Sequence, residues 1–242
     1  MITPHIHPTP EELHPALWRA SQLAHFSGRT VDTGHIALSN QLPDGGWPTG
    51  TLVEILAQQP GVGELKLLAP ALRKASNKKV VLLQPPHLPN ALAFAGLGLP
   101  PSDLIWLRGK STADTLWAAE TVLRSGTCGS LLFWNTHVRQ ESLRRLHLAA
   151  QAGETLFFVL RPLAAVQDAS PSPLRLSLRP AQGGVNIGFI KRRGPQRDEP
   201  LFLPLHNFIG TNEQPVTAPI KPVHPQNVPE NMLQPHSVVE LY

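Results

Sequence analysis

Short apolar runs alternate with stretches of helical period through the middle of the chain. Five apolar runs predict buried strands, at residues 52–57, 79–84, 104–108, 130–134 and 155–160. Apolar positions three and four residues apart predict helices at residues 63–75, 87–97, 113–125 and 139–152. Strands that alternate with helices are typical of βαβ units with right-handed crossovers. The pattern therefore predicts an α/β fold, with a mostly parallel sheet and helices on both of its faces.

The two ends of the chain have different patterns. Residues 174–179 and 185–191 alternate apolar and polar positions on either side of Ala181-Gln182-Gly183-Gly184, which predicts a C-terminal β-hairpin. Nine of the 26 prolines fall from Pro195 onward without a sustained period, so residues 195–242 are predicted to be a largely disordered tail. Helical spacing over residues 11–26 predicts an amphipathic helix. The predicted organisation is a helix and linker at 1–32, a core at 33–194 and a tail at 195–242.

Composition narrows the class of protein without identifying it. Hydrophobic residues make up 41% and charged residues 16% of the 242 residues, and no apolar run approaches the roughly 18 residues that span a bilayer. The N-terminal sequence lacks the basic and apolar regions of a secretion signal, and the single cysteine, Cys128, suits a reducing compartment. We therefore expect a cytoplasmic protein without membrane contact. The net charge of +4 permits an acidic partner such as nucleic acid, but it is small enough to reflect solubility alone.

The loop between the first long predicted strand and its helix has the position of a phosphate-binding loop. Such a loop and the helix N-terminus after it can hold phosphate, and nucleotide hydrolysis requires the motif G-x-x-x-x-G-K-[ST]. Here the loop ends in Gly63-Glu64-Leu65, so a carboxylate replaces the lysine and leucine offers magnesium no ligand. The run at 130–135, where such enzymes carry a magnesium-organising aspartate, has no carboxylate either.

These two losses predict that the protein is not an enzyme and has neither catalytic residues nor a cofactor. The degenerate loop is defined by Ala57, Gly61, Gly63, Glu64 and Leu65. Weak binding of a nucleotide by the loop backbone stays open as an alternative.

Several stretches of the sequence resemble known families. Thr33-Gly34-His35-Ile36-Ala37-Leu38 and LPDGGWPTGTLVEI at 42–55 resemble the segment that leads to the phosphate loop of the RecA recombinase. More closely, LPDGGWPTGTLVEIL, QQPGVGELKLLAPAL, STADTLWAAETVLRSGTCGSLLFW and RRLHLAAQAGETLFFVLRP look like ImuA, the translesion DNA synthesis-associated family. The resemblance covers about residues 33–194.

The resemblance to ImuA implies a RecA-like, doubly wound fold without ATPase activity, and induction by DNA damage. It implies a non-catalytic accessory protein that recruits or regulates a lesion-bypass polymerase complex. The implied partners are an ImuB-like homologue of Y-family polymerases and an error-prone alpha-type subunit of DNA polymerase III. RecA, DNA and a second copy of the chain are further candidate partners.

The alternative function is inhibition of cell division. Residues 99–162 also resemble SulA, the SOS-induced division inhibitor that binds FtsZ. The phosphate-loop segment and Lys191-Arg192-Arg193-Gly194 favour ImuA, because the shorter SulA family lacks both. Either resemblance implies that the protein acts by binding partners.

Candidate contact residues lie near the end of the core and in the tail. Lys191, Arg192 and Arg193 form the sharpest basic cluster and are predicted to contact DNA phosphates, although charges at a strand end also protect a sheet edge from aggregation. Apolar residues of the tail are predicted to bind a partner or to fold back on the core: Leu201, Phe202, Phe208, Leu241 and Tyr242. The eleven histidines lack metal-ligand spacing, so no metal site is predicted.

Overall fold

The predicted alternation is found in the computed structural model, which describes residues 29–75, 78–194 and 197–205. The strands are β1 (Thr30–Asp32), β2 (Gly46–Pro48), β3 (Thr51–Ala57), β4 (Lys79–Leu83), β5 (Leu104–Leu107), β6 (Cys128–Trp134), β7 (Leu156–Pro162), β8 (Leu174–Ala181), β9 (Gly184–Lys191) and β10 (Leu201–Pro204). The α-helices are α1 (Ile36–Ser39), α2 (Glu64–Lys74), α3 (Ala91–Gly96), α4 (Thr112–Ser125) and α5 (Gln140–Ala150). The five predicted strands and the four predicted core helices are all present, but the prediction that the strands are buried is wrong for β5, which lies at the edge of the sheet and has no buried residue.

Eight strands form one large sheet in the order β10-β9-β8-β3-β7-β6-β4-β5. Every neighbouring pair from β8 to β5 is parallel, whereas β9 is antiparallel to β8 and β10 is antiparallel to β9. The α/β fold with a large, mostly parallel sheet is therefore confirmed. We call the side where β3, β6 and β7 end the carboxyl edge, and the opposite side the amino edge.

The sheet is buried on both faces because alternate residues of its central strands enter two separate cores. In β3, Val53 and Ile55 belong to a cluster with Leu68 of α2, whereas Leu52 belongs to a second cluster with Leu143 of α5. Central parallel strands read as continuous apolar runs for this reason. The two cores place α2 and α3 against one face and α4 and α5 against the other.

Local signals in the sequence explain where the helices begin and end. Ser111 caps α4 in a capping box with Asp114, and Gly126 ends it in the left-handed conformation. Helix α3 begins only at Ala91, later than the predicted residue 87. Asn90 caps it by accepting a hydrogen bond from the backbone N–H of Ala93, and the preceding Pro89 disfavours helix at the residue before it.

A small sheet of β1 and β2 was not predicted from the sequence. It carries Trp47, which is fully buried in the first core and makes an edge-to-face contact with Phe158 of β7, with 5.3 Å between ring centroids. The strands have only three residues each, too few for an alternating pattern to stand out.

The predicted C-terminal hairpin is present as β8 and β9, but the sheet continues beyond it. Strand β10 lies inside the segment predicted as disordered tail, and Leu203 is buried against the first core. The prediction that the core ends at residue 194 is therefore wrong for Leu201–Pro204, because pairing with β9 satisfies backbone groups that the local sequence gives no reason to pair. A Cβ atom on Gly184 would lie 2.1 Å from the carbonyl oxygen of Leu203, so this close approach requires glycine.

Two further predictions lie outside the described residues: the helix at 11–26 and the remainder of the tail from residue 206. Within the described parts of the chain, no helix has the length and apolar character needed to cross a bilayer.

Candidate functional site

The degenerate phosphate loop connects β3 to α2 at the carboxyl edge. Strand β3 is buried along its whole length, and the chain emerges at Gln58, Gln59 and Pro60, which are exposed. Gly63 precedes the helix with a φ of +116°, a left-handed conformation that favours glycine. The loop thus has the position at which nucleotide-binding proteins present backbone N–H groups to phosphate.

In this chain a carboxylate already occupies that position. Oε1 of Glu64 accepts a hydrogen bond from the backbone N–H of Gly61 at 2.7 Å, and Oε2 accepts one from that of Gly63 at 3.2 Å. Glu64 is buried, with 4% of its surface exposed, in the first turn of α2, where a negative charge is favoured by the helix dipole. The side chain that replaces the expected lysine therefore supplies the anion that the loop would otherwise bind.

Leu205, the residue after β10, and Val185 of β9 pack against the same loop. A Cβ atom on Gly63 would lie 2.6 Å from Cδ1 of Leu205 and 3.3 Å from Cγ1 of Val185. Leu205 is held there by a hydrogen bond from its backbone N–H to the carbonyl of Gly183. Apolar side chains thus pack where a bound phosphate would need polar or charged surroundings.

The end of β6, which is separated from β3 by β7, offers no acidic group for magnesium. Asn135 follows β6, and its side-chain oxygen accepts a hydrogen bond from the backbone N–H of His137 at 2.9 Å. Among the described residues, no three His, Cys, Asp or Glu side chains are grouped as a metal site requires.

A buried charge network joins three strands of the sheet, and sequence reasoning missed it. Glu54 of β3 is fully buried, and its two carboxylate oxygens accept hydrogen bonds from Arg161 of β7 at 3.0 Å and Arg175 of β8 at 2.7 Å. Arg161 also contacts Asp168 at 2.6 Å, and Arg175 donates to the carbonyl of Ala165 at 2.8 Å. The signal in the sequence was Glu54 itself, a glutamate inside an otherwise apolar run. A glutamate is tolerated in a buried strand only when its charge is paired.

This network holds the connection between β7 and β8, whose 3-10 turn spans Leu163–Gln167, against β3. It occupies the sheet interior rather than an open pocket. We therefore assign it a structural role.

The structure divides the predicted DNA-contact cluster. Lys191 and Arg193 are exposed at the amino edge, and Nζ of Lys191 donates to the carbonyl of Ser170 at 3.3 Å. Arg192 is half-buried, donates to the carbonyl of Gln41 at 2.5 Å and lies over the ring of Phe189, 5.0 Å from its centroid. Partial burial, with the charge of Arg197 adding to it, lowers the pKa of Arg192. Arg192 thus packs on the core, while its two neighbours face solvent.

The predicted partner-binding residues are divided in the same way. Leu201 is partly buried on β10, whereas Phe202 on the same edge strand is 48% exposed. Phe208, Leu241 and Tyr242 lie outside the described residues. The outermost strand on the opposite side of the sheet from β10 is β5, and it exposes Ile105 and Trp106. Both edge strands therefore present large apolar side chains, which are the usual mark of a binding surface when they are clustered.

Comparison with known proteins finds similarity to proteins named cell division inhibitor SulA. No family model matches the chain. The cell division inhibitor SulA of Photorhabdus laumondii is 30% identical over 115 residues, which cover 47% of this chain and 65% of that protein. SulA of Serratia proteamaculans is 25% identical over 140 residues (57% of this chain, 82% of that protein), and SulA of Serratia marcescens is 25% identical over 150 residues (61% and 86%).

The chain thus spans just under two thirds of the length of the Photorhabdus relative. These similarities confirm the part of the predicted resemblance that named SulA. They do not bear on ImuA, and this part stays a prediction.

Proposed function

We propose that this chain is a non-catalytic protein of the DNA-damage response that acts by binding other macromolecules. The observation that carries the proposal is the carboxylate of Glu64 in the phosphate loop, because a loop filled by its own side chain leaves no room for a nucleotide phosphate. The similarity to SulA proteins supports regulation within the SOS response.

We further propose that the fold is a RecA-like, doubly wound one in which the nucleotide site serves only as structure. The position of the loop between β3 and α2, and the helices on both faces of the sheet, support this assignment. Magnesium-dependent ATP hydrolysis by the purified protein should be absent, and MgATP should not raise its melting temperature. A concentration-dependent rise would show that the loop still accepts nucleotide and would overturn the proposal.

The specific role we propose is that of an accessory protein in translesion DNA synthesis, located in the cytoplasm. The resemblance to ImuA over residues 33–194 supports it, with an ImuB-like polymerase homologue as the principal partner and an error-prone polymerase III alpha-type subunit in the same complex. RecA and self-association are additional partners to be tested.

The proposed contact surface for the protein partner is the exposed side of β10. An edge strand can take up an extended segment of a partner by backbone hydrogen bonds, and Phe202 would fill a pocket on that partner. Phe202→Lys should abolish capture of the ImuB-like protein from nuclease-treated mixtures. Leu148→Lys is the matched control, since Leu148 is an exposed apolar residue on α5, away from β10. Equal effects of the two changes would remove β10 as the surface.

The second candidate function is inhibition of cell division by binding FtsZ. The observation that favours it is the similarity to three SulA proteins. Sedimentation of FtsZ polymers distinguishes the two functions. Inhibition of polymerisation at near-stoichiometric protein, without capture of the ImuB-like protein, would support the division inhibitor and overturn the translesion assignment.

A further inference from the structure

A polar cleft lies at the amino edge of the sheet, on the side opposite the degenerate phosphate loop. It has a volume of about 580 Å³ and lies among the start of β3, the end of α5 and the segment that leads to β8. A cleft of this size accommodates a group as large as a nucleotide. The polar side chains in its wall include Arg29, Thr51, His147, Gln151, Glu154 and Arg193.

The charges around the cleft are mainly positive. Arg29 and Arg193 line it, and Lys191 lies at its rim, because its Nζ atom contacts the carbonyl of Ser170 beside the lining residue Pro171. The carboxylate of Glu154 is the acidic group among the lining residues. The charge balance favours an anionic ligand.

The ion pair between Arg29 and Glu154 leaves this arginine available to a ligand. Nη1 of Arg29 lies 2.8 Å from Oε1 of Glu154, but the two side chains are 79% and 60% exposed. Exposed pairs of this kind stabilise a protein little, so a phosphate can take the place of the carboxylate at small cost. The backbone of Arg29 is fixed, since both the N–H and the hydroxyl of Thr49 donate to its carbonyl at 2.9 Å.

His147 supplies a neutral donor in the wall of the cleft. Its Nδ1 atom accepts a hydrogen bond from the backbone N–H of Leu52 at 3.2 Å, so the ring proton is carried by Nε2. Partial burial, and then the charge of Lys191, lower the pKa of His147, which keeps the ring neutral near pH 7. Gly50 and Gly153 line the cleft beside it and pack closely, since a Cβ atom on Gly50, which has a φ of +61°, would lie 2.6 Å from the carbonyl oxygen of Gly153.

We infer that this cleft binds the phosphate groups of single-stranded DNA. The inference deepens the proposed function and rests on it. The cationic side chains are distributed along the cleft and its rim, from Arg29 through Arg193 to Lys191, which suits a chain of phosphates better than one phosphate group. Arg192, the third member of the predicted basic cluster, is excluded from this contact by its packing on Phe189.

Two isosteric changes in the cleft should shift DNA affinity in opposite directions. Full-length protein is titrated into a fluorescent oligothymidylate and binding is followed by anisotropy. Gln151→Glu adds a negative charge and should weaken binding by about three- to tenfold, whereas Glu154→Gln removes one and should tighten it by a similar factor. Gln182→Glu is the matched control for the first change, because Gln182 is exposed in the β8–β9 turn, at the opposite edge, and its substitution should leave affinity unchanged.

The salt dependence of binding gives an independent measurement. Arg193→Gln should reduce the slope of log affinity against log salt by about one, as expected for the loss of one phosphate contact. Arg179→Gln removes the same charge from an exposed position near the carboxyl edge and should leave the slope unchanged. Equal slopes for the two variants, or no binding of DNA by the unaltered protein, would overturn the inference.

Two further experiments identify the source of the phosphate and test the cleft separately from the proposed protein partner. If thymidine monophosphate displaces the oligonucleotide at the same concentration of phosphate groups, the ligand of the cleft is a mononucleotide and the inference is overturned. Weak displacement supports the inference. Capture of the ImuB-like protein after nuclease treatment should be the same for Gln151→Glu and the unaltered protein. If the unaltered protein captures the ImuB-like protein but binds no DNA, only the inference about the cleft is overturned. If it binds DNA but does not capture the ImuB-like protein, only the proposed protein partner is overturned.

Discussion

Oε1 of Glu64 lies 2.7 Å from the backbone nitrogen of Gly61, so the phosphate loop of this protein is bonded to a side chain of its own helix. Backbone N–H groups in such a loop need an acceptor when they are shielded from water. Nucleotide-binding proteins meet this need with a ligand, and this chain meets it within the fold. The loop should consequently be as stable without nucleotide as the rest of the core.

Removal of the Glu64 carboxylate should destabilise the protein. Glu64→Ala leaves the N–H groups of Gly61 and Gly63 without their acceptor and should lower the free energy of unfolding by about 1–3 kcal/mol in urea denaturation. Glu64→Gln retains one acceptor oxygen and should cost less. Glu141→Gln, at an exposed position in the first turn of α5, provides the control and should have little effect. A Glu64→Ala variant as stable as this control would show that the carboxylate does not hold the loop.

Adjacent residues of β10 should differ sharply in their contribution to stability. Leu203 is 3% exposed and packs in the first core, so Leu203→Ala should lower the free energy of unfolding by about 2–4 kcal/mol. Phe202 points to solvent, and Phe202→Ala should change it by less than about 0.5 kcal/mol. Thermal or urea unfolding measures both. Equal, small effects would mean that this strand is not part of the folded core.

Loss of the charge on Glu54 should be among the most damaging single changes in the sheet. Glu54→Gln leaves the buried Arg175 without its counter-charge and Arg161 paired only with Asp168, and should cost about 3–5 kcal/mol of unfolding free energy. Glu120→Gln is a useful comparison, because Glu120 pairs with the exposed Arg124 and Arg145, and its loss should matter far less. If the variant unfolds on purification, a Glu54→Asp change, which keeps the charge, should recover folding.

Stability should fall as the pH is lowered below about 6.5. Burial lowers the pKa of both His35 and His147, so the unfolded chain binds protons more readily than the folded protein. The free energy of unfolding therefore decreases from the ordinary histidine pKa downward to the depressed values in the folded state, and is independent of these two groups at higher pH. Urea midpoints between pH 7.5 and 5.5 measure the effect.

The matched variant for this measurement is His147→Asn. Its side-chain oxygen can accept the N–H of Leu52 in place of Nδ1, but it does not titrate. The decrease in stability toward low pH should be smaller in this variant than in the unaltered protein. An unchanged pH dependence would exclude His147 as its source and leave His35 to be tested.

The central strands and helices follow from the sequence because their apolar runs and caps are local signals. The period of residues 113–125 and the Ser111–Asp114 capping box suffice for α4, and the loop motif predicted the loss of the lysine and the hydroxyl at positions 64 and 65. Two other features depend on partners far along the chain. Strand β10 forms only because β9 offers an unpaired edge, and Glu54 is tolerated only because strands more than 100 residues later bring two arginines to it.

The sequence by itself therefore determined the α/β class, the order of the main elements and the absence of the nucleotide motif, since each of these depends on residues that are close together in the sequence. Only the tertiary structure decided what replaces the phosphate, which of the basic residues face solvent and where a cleft opens. These properties arise from distances between residues that are remote in sequence: Leu205 over Gly63, Arg192 on Gln41, and Arg29 beside Glu154. Burial and pairing at such distances are set by how the sheet packs, and no local pattern of polar and apolar positions specifies them.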